Sequence, residues 1–426
     1  MATAQGLVDY IAASPSPFHC VAESVRRLEE AGFRRRDMKA SPEEIVAGSR
    51  SYVHDAGTLV AWIAGERSPA ESGFRIVGAH TDSPNLRLKP QAEYSKEGYV
   101  QWGVEVYGGV LRHTWLDRDL GISGRVAVRH GKGHRTVLVR IDEPVARVPS
   151  LAIHLDRDVT AKGLIVNAQK HLPPVVGLEG GGQGLSELLS QAAGVKAEDL
   201  LTWDVGLHDV QAPTIGGLNQ EFIFAPRLDN QASCYTALEG LLSLEGFGES
   251  TAMICLFDHE EVGSTSAVGA SSTYLRNVLA VVERGHGGGA EGGLERAAAQ
   301  SFMVSADMAH GIHPNHADRH EGHHKPRLNG GPVIKSNANL RYATDAGTAA
   351  RFRLACEAEK VDVQEFVNRT DLACGSTIGP LSAAQLAIET VDVGCAMLSM
   401  HSIREQCGAH DVDAMTRALG RILIGG

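Results

Sequence analysis

The chain has 426 residues, which exceeds the size of one ordinary hydrophobic core and predicts two domains. Apolar residues make up 43% of the sequence and charged residues 21%, which is typical of a soluble globular protein and excludes fibrous or wholly disordered classes. The net charge is -11 and no long basic stretch occurs, so binding to nucleic acid is not expected.

Two further features bear on the compartment. No apolar run approaches the roughly 20 residues that span a bilayer, and the N-terminus lacks a basic stretch followed by an apolar block. The seven cysteines are irregularly spaced and form no C-x-x-C pair. We therefore expect a cytoplasmic protein with no membrane partner and with free thiols in its core.

The first predicted element is a helix that Ser16 can cap and in which Pro17 suits the first position. The apolar run at residues 74–80 predicts a strand buried on both faces. From about residue 99 to residue 141, apolar and polar residues alternate on either side of a glycine-containing loop at residues 130–134. This pattern predicts a β-hairpin.

Beyond residue 212 the pattern changes to longer strands and helices. A helix is predicted to start at Asp229, and the apolar runs at residues 252–257, 278–282 and 302–306 are predicted to be strands. Strands that alternate with helices indicate an α/β sheet.

These changes of pattern predict a discontinuous domain. The fold class is α/β, with a mixed-sheet domain of residues 1–90 and 213–426. An inserted, mostly β domain of residues 91–212 interrupts it.

Potential metal ligands stand where the apolar strands end. His80, Glu261, Asp307 and His401 each follow such a run, and Asp229 opens a helix between two of them. Because ligands bind open α/β sheets beyond the carboxyl ends of the strands, we expect these side chains to meet at one edge. Two histidines and three carboxylates without a thiolate favour a hydrolytic zinc, cobalt or manganese site with room for water.

The adjacent acids Glu260 and Glu261 repel each other in an apolar context unless positive charge lies nearby. Two metal ions would supply that charge, and one carboxylate can bridge them. Neighbouring side chains diverge on a turn, so one glutamate can bind metal while the other faces a water molecule as general base.

Long blocks of the sequence carry a resemblance to a known family. They are VGAHTDSPNLRLKP, LAIHLDRD with NAQKHLPP, RLDNQASC, DHEEVGS, SADMAHGIHPN, GPVIKSNANLRYATD, CGSTIGP and MHSIREQCG. In order and over essentially the whole chain, they resemble the signature blocks of the aspartyl aminopeptidase family. Members are dinuclear zinc enzymes that remove N-terminal residues from peptides.

The resemblance implies a dizinc peptidase domain, in which Co²⁺ or Mn²⁺ can substitute for zinc. Asp229 would bridge the two ions, with His80 and Asp307 on one ion and Glu261 and His401 on the other. The remaining implied roles belong to two groups. Catalytic roles are implied for Glu260, as general base, and for Asp82, which would orient His80, and substrate contacts are implied for His154, His310, Lys335 and Tyr342.

Substrate and assembly are implied as well. The ammonium group of Lys335 would favour an N-terminal Asp or Glu in peptides with a free N-terminus. The inserted domain would mediate dimerisation and lend His154 to the neighbouring subunit, in a homo-oligomer that reaches a tetrahedral dodecamer in relatives. An aminopeptidase of the same mechanism with a Leu-type preference, and a non-catalytic metal-binding assembly protein, are the alternatives.

Two other patterns favour different classes. Residues 278–282 followed by Gly285, Gly287 and Ala290 have the G-x-G-x-x-A spacing of a dinucleotide-binding turn, although the glycine-rich composition nearly guarantees this match. Five histidines between residues 313 and 324 suit a metal-storage loop. Because this segment directly follows Asp307 and His310, a wall of the substrate pocket is the simpler interpretation.

Overall fold

The computed structural model describes residues 3–39 and 44–425. The chain divides into two compact units. The first comprises Met1–Asp82, Pro213–Met400 and Glu405–Gly426, and the second comprises Ser83–Ala212 and His401–Arg404. Among the described residues, no helix combines the length and the apolar character that a membrane crossing requires.

The strands divide between the two units. The first unit begins with β1 (Arg34–Arg35), β2 (Arg50–Asp55), β3 (Thr58–Ile63) and β4 (Phe74–His80). The second contains β5 (Asn85–Lys96), β6 (Tyr99–Tyr107), β7 (Asp119–His130), β8 (Gly133–Arg147), β9 (Val175–Leu178) and β10 (Leu200–Asp209). The first continues with β11 (Thr214–Gly216), β12 (Phe222–Ala225), β13 (Thr251–Phe257), β14 (Phe302–Ala306), β15 (Ala309–His310), β16 (Val333–Ser336), β17 (Gln364–Val367), β18 (Glu389–Gly394), β19 (Ala396–Leu398) and β20 (Glu405–Gly408).

The helices follow the same division. The first unit has α1 (Ala4–Ala13), α2 (Pro17–Glu30) and α3 (Pro69–Ser72), and the second has α4 (Val159–Lys162), α5 (Ala168–His171) and α6 (Leu185–Ala193). The first unit then adds α7 (Leu228–Leu242), α8 (Tyr274–Gly285), α9 (Gly293–Ala299), α10 (Ala346–Ala358), α11 (Ile378–Leu386) and α12 (Asp411–Leu423).

A mixed sheet of nine described strands forms the centre of the first unit, in the order β1-β2-β3-β13-β4-β14-β18-β16-β17. Strands β13, β4, β14 and β18 are parallel neighbours, and β3 and β16 flank them in the antiparallel sense. A smaller mixed sheet has the order β11-β12-β20-β19-β15. The fold is therefore of the mixed α/β class that the sequence predicts.

Both faces of the large sheet are covered by helices. Val77 packs with α1, α7 and α12 on one face, whereas its neighbour Ile76 packs with α8, α9 and α11 on the other. Successive side chains of a strand point to opposite faces, so a strand covered on both sides must be apolar throughout. This explains why residues 76–79 of β4 are apolar or glycine, whereas its polar residues lie near its two ends, the partly buried Arg75 at the start and His80 at the end.

The second unit has a closed barrel with the strand order β10-β5-β6-β9-β8-β7. The predicted hairpin is β7 and β8, in which Val126 pairs with Val137 and the turn is tighter than the predicted loop. Val126, Val128 and Val139 point into the core of this unit. The predicted division between residues 90 and 91 falls inside β5, and the dimerisation role of residues 91–212 stays a prediction.

Several local predictions are confirmed. Ser16 caps α2, its side chain accepts a hydrogen bond from the backbone N–H of His19, and Pro17 is the first helical residue. The predicted strands at residues 252–257 and 302–306 are β13 and β14. All seven cysteines are free thiols, and only Cys374 among them is not buried.

The prediction of a strand at residues 278–282 is wrong, because these residues lie in α8. Leu275, Val278, Leu279 and Val282 are buried along one face of that helix, at the spacing of an amphipathic helix. The dinucleotide-binding turn requires a strand before its glycines, so the structure removes the basis for that alternative.

Candidate metal centre

Three adjacent parallel strands, β13, β4 and β14, end at the same edge of the large sheet. His80 is the last residue of β4, and Asp307 directly follows β14. A short 3₁₀ turn, Glu260–Val262, follows β13. The strand order therefore brings a histidine and several carboxylates to one place, as the strand ends predict.

His80 lies at the centre of this group. One ligand atom each from His80, Asp229 and Glu261 lies within 4.8 Å of the others. The Nε2 atom of His80 is 3.4 Å from Oδ1 of Asp229 and 3.6 Å from Oδ1 of Asp307. His80, Asp229 and Asp307 are buried, and Glu261 is partly buried. Four of the five predicted ligands thus converge within the first unit.

Asp82 contacts the other ring nitrogen of His80. The Nδ1 atom of His80 is 3.0 Å from the backbone carbonyl oxygen of Asp82 and 3.4 Å from its Oδ1. The same carboxylate accepts hydrogen bonds from the backbone N–H groups of Glu260 and Glu261, each at 3.1 Å. Asp82 therefore positions the turn that carries both glutamates as well as the imidazole of His80, a second role that the sequence did not reveal.

Two further side chains fix the start of α7, on which Asp229 lies. The carboxylate of Glu405 accepts a hydrogen bond from the backbone N–H of Asp229 at 3.0 Å. The side-chain amide of Asn230 donates to the carbonyl of Ala306, at the end of β14, at 2.8 Å. Both residues fall within the quoted sequence blocks, so those blocks carried a signal for them that strand-end reasoning missed.

The electrostatics of the group require positive charge. Burial alone would lower the pKa of His80, but hydrogen bonds to Asp229 and Asp307 outweigh burial and raise that pKa well above its ordinary value. Burial, together with Asp307, Asp82 and Asp229, raises the pKa of Glu260 to about 7. Clustered carboxylates are stable as anions only beside cations. Imidazole nitrogen and carboxylate oxygens without thiolate are ligands that suit zinc, so the residues present fit this metal.

Lys335 adjoins the group and is buried, with 2% of its surface exposed. Its Nζ is 3.6 Å from Oδ2 of Asp307 and donates a hydrogen bond to the carbonyl of Met308 at 3.3 Å. The ammonium also lies 5.1 Å from the ring centroid of Tyr342. Lys335 is therefore not a surface lysine, because its charge is held within the site.

His310 is a further residue close to Lys335. Its ring packs edge-on against Phe366 with the centroids 5.6 Å apart, and Phe366 also packs against Tyr342 at 6.5 Å. Burial and the neighbouring Lys335 lower the pKa of His310. Phe366 was not predicted, because a single aromatic residue in β17 carries no chemical signature in the sequence.

The remaining predicted residues belong to the second unit. The Nδ1 atom of His401 is 3.1 Å from the backbone carbonyl oxygen of Gly109. His154 is exposed in a 3₁₀ turn, Ile153–Leu155. The metal-ligand role of His401 and the substrate role of His154 stay predictions.

Comparison with known proteins gives the family. Residues 10–421 match the family model described as aminopeptidase I zinc metalloprotease (M18). A probable M18 family aminopeptidase 2 of Pseudomonas paraeruginosa is 46% identical over 424 residues, which cover 98% of this chain and 96% of that protein. The chain belongs to the M18 aminopeptidase family. It is thus a zinc metalloaminopeptidase, a hydrolase, and the resemblance seen in the sequence is confirmed.

Solved structures agree with this assignment to the M18 family. The cryo-EM structure of the Ape4 and Nbr1 complex contains a chain with 36% identity and a TM-score of 0.95, and the match covers 99% of this chain and 85% of that one. A structure of the mApe1 dodecamer of S. cerevisiae has 29% identity and a TM-score of 0.85, with 98% of this chain and 95% of that chain covered.

Beneath the site of this M18 aminopeptidase lies a fully buried carboxylate, Asp392 of β18. It accepts hydrogen bonds of 2.6 Å from the hydroxyl groups of Ser305 and Thr377 and from the backbone N–H of Ala343, the residue after Tyr342. Asp392 therefore anchors the segment that carries Tyr342.

Replacing Asp392 with Ala should lower the free energy of unfolding by about 3 kcal/mol or more, because two buried hydroxyl donors and one partly buried backbone N–H lose their acceptor. Urea unfolding followed by circular dichroism measures this change. Asp413, an exposed residue paired with Arg417, is the matched control, and its replacement with Ala should cost less than about 1 kcal/mol. Equal effects of the two substitutions would contradict the anchoring role of Asp392.

Proposed function

We propose that this M18 aminopeptidase removes N-terminal Asp or Glu from peptides with a free N-terminus, using two zinc ions and Glu260 as general base. The main observation in support of this proposal is the buried ammonium of Lys335. Its Nζ lies 3.6 Å from Asp307, one of the carboxylates grouped around His80. A cation beside the reacting centre attracts an anionic substrate side chain and gives an apolar one no comparable interaction.

Five side chains would hold the metal ions: His80, Asp229, Glu261, Asp307 and His401. When bound, zinc would supply Lewis acidity at the scissile carbonyl, a lowered pKa for water and positive charge for the free α-amino group. Glu260 accepts a proton from the attacking water and donates it to the leaving amine. Asp82 keeps Glu260 in place through its backbone N–H and holds the orientation of His80.

The substrate residues act on the N-terminal residue itself. Lys335 pairs with its side-chain carboxylate, and the Tyr342 ring limits the space around the ammonium. His310 adds a ring nitrogen that can hydrogen-bond the substrate, since its lowered pKa keeps the imidazole neutral. A Leu-type preference is the alternative, and it requires an apolar pocket in place of a buried lysine.

Replacing Lys335 with Ala should lower kcat/KM for N-terminal Asp and Glu by roughly 100-fold, the size expected when a buried charge loses its partner, and for N-terminal Leu far less. The measurement compares matched peptides that differ only in their first residue, with acetylated peptides as blanks. Lys196, an exposed lysine paired with Glu198, provides the control substitution. A uniform loss across all first residues would refute the specificity role, and preference of the unaltered enzyme for Leu would overturn the acidic assignment.

We also propose that the chain forms a homo-oligomer built from dimers. The mApe1 structure of S. cerevisiae is described as a dodecamer, which supports this proposal for a chain of the same fold. The exposed His154 could then reach the active site of a neighbouring subunit, a role that the resemblance implies. The cytoplasmic location expected from the sequence stays a prediction.

A further inference from the structure

A cavity of about 290 Å³ opens in the first unit beside His310. Its walls come from residues near 310–313, 319–321, 366–373 and 397–400. Ligand pockets usually measure about 300 to 1,000 Å³, so this volume suits one side chain rather than a whole cofactor.

The cavity lies next to the proposed Lys335 pocket but is distinct from it. His310 and Phe366 line the cavity, whereas Lys335 and Tyr342 do not. Phe366 packs against His310 at 5.6 Å and against Tyr342 at 6.5 Å. Phe366 therefore connects the two, because it lines the cavity and pairs with Lys335 on the neighbouring strand.

The lining of the cavity combines apolar and basic side chains. Phe366 and Met397 are buried wall residues, and Arg319 and Arg369 add guanidinium groups. Asp371 already pairs with Arg369, through a 2.8 Å hydrogen bond from Nε. Arg319 is different, because its Nε is 3.9 Å from Asp318 and its side chain is 68% exposed. The Arg319 guanidinium is thus loosely held and can turn toward a ligand.

Two other polar groups define what can bind. Glu321, the acidic residue among the described lining residues, already accepts hydrogen bonds from the backbone N–H groups of His323 and His324. His320 lines the cavity, and its buried Nδ1 has no hydrogen-bond partner in the part of the chain that the structure describes. An unsatisfied buried nitrogen is costly, and a bound polar group would relieve that cost.

We propose that this cavity binds the side chain of the second residue of the peptide substrate and favours an acidic side chain there over a basic one. The aliphatic stem of such a residue would contact Phe366 and Met397, and its carboxylate would reach Arg319. This inference rests on the proposed peptidase function. It adds a selectivity on the far side of the scissile bond, separate from that of Lys335.

The test uses the zinc-loaded enzyme and peptides with a constant, well-cleaved first residue and Glu, Leu or Lys as the second. The p-nitroanilide of the same first residue lacks a second side chain and serves as the reference substrate. We expect kcat/KM to favour Glu over Lys by about threefold to fivefold, the size of a partly exposed ion pair. The substitution Arg319→Glu should reverse this order. Arg276→Glu is the matched control, since Arg276 lies in α8, away from the cavity, and pairs with Glu295.

The possible outcomes distinguish the cavity assignment from the peptidase function. Equal rates for all second residues in the unaltered enzyme would overturn the cavity assignment and leave the peptidase function intact. An Arg319→Glu effect that is equal on the anilide and on the peptides would also overturn it, because the cavity would then serve the first residue. Failure to cleave any peptide would overturn both the function and the cavity assignment.

Discussion

Replacing Glu260 with Gln should leave the zinc content unchanged and lower kcat by about 10³-fold or more. Glutamine has nearly the same size and can keep the backbone hydrogen bond to Asp82, but its amide cannot accept the proton of the attacking water. The proposed ligands do not include Glu260, so metal binding should survive. Zinc analysis by mass spectrometry and steady-state kinetics on an N-terminal Asp peptide measure the two effects.

The control for this experiment is Glu295→Gln, at an exposed glutamate that pairs with Arg276. This substitution changes the same functional group without touching the metal centre, so both zinc content and kcat should match the unaltered enzyme. Full turnover by Glu260→Gln would contradict the general-base assignment. Loss of zinc from that variant would instead make Glu260 a ligand.

The second large effect concerns Asp229. Its replacement with Ala should remove both zinc ions and abolish hydrolysis, because the proposed bridge contributes a ligand to each ion. Replacement of Asp307 with Ala should remove only one of the two, since Asp307 is proposed to bind a single ion. Asp229 and Asp307 lie at similar distances from His80, with their Oδ1 atoms 3.4 and 3.6 Å from its Nε2 atom. A difference in zinc content between the two variants would therefore result from bridging and not from a different distance to His80.

Zinc per subunit, measured on purified protein after extensive dialysis, distinguishes these cases. We expect about two, one and zero ions for the unaltered enzyme, Asp307→Ala and Asp229→Ala, and unchanged zinc in the control Asp413→Ala. One ion retained by Asp229→Ala would contradict the bridge. Circular dichroism spectra that match the unaltered enzyme would show that zinc loss does not result from unfolding.

The sequence predicted the strands of the large sheet well where burial on both faces favours a mostly apolar run. β4 and β14 were found at residues 74–80 and 302–306, because a buried polar side chain loses its hydration unless it finds a partner, as Ser305 of β14 does in Asp392. The same criterion failed at residues 278–282. A run of five apolar residues occurs both in buried strands and in helices such as α8, where only Val278, Leu279 and Val282 of the run are buried, and only packing against β13 and its neighbours decides between the two.

Some features of the site could likewise be predicted from the sequence, and others were visible only in the structure. Strand ends identified His80, Glu261 and Asp307, because their positions follow from local polarity alone. The second role of Asp82 was not visible, since its carboxylate reaches backbone N–H groups that lie 178 and 179 residues away in the chain. The hydrogen bond from the backbone N–H of Asp229 to the carboxylate of Glu405 likewise joins residues that are 176 positions apart in the chain.

The sequence by itself determined the fold class and the chemical types at the proposed metal centre, because apolar period and side-chain chemistry are local properties, and its long blocks carried the resemblance that gave the family. Only the tertiary structure decided which side chains meet. It buried Lys335 beside Asp307, packed His310 against Phe366, and formed the cavity that Arg319 lines. These features depend on strand order and on contacts between distant segments, and such contacts leave no periodic signal along the chain.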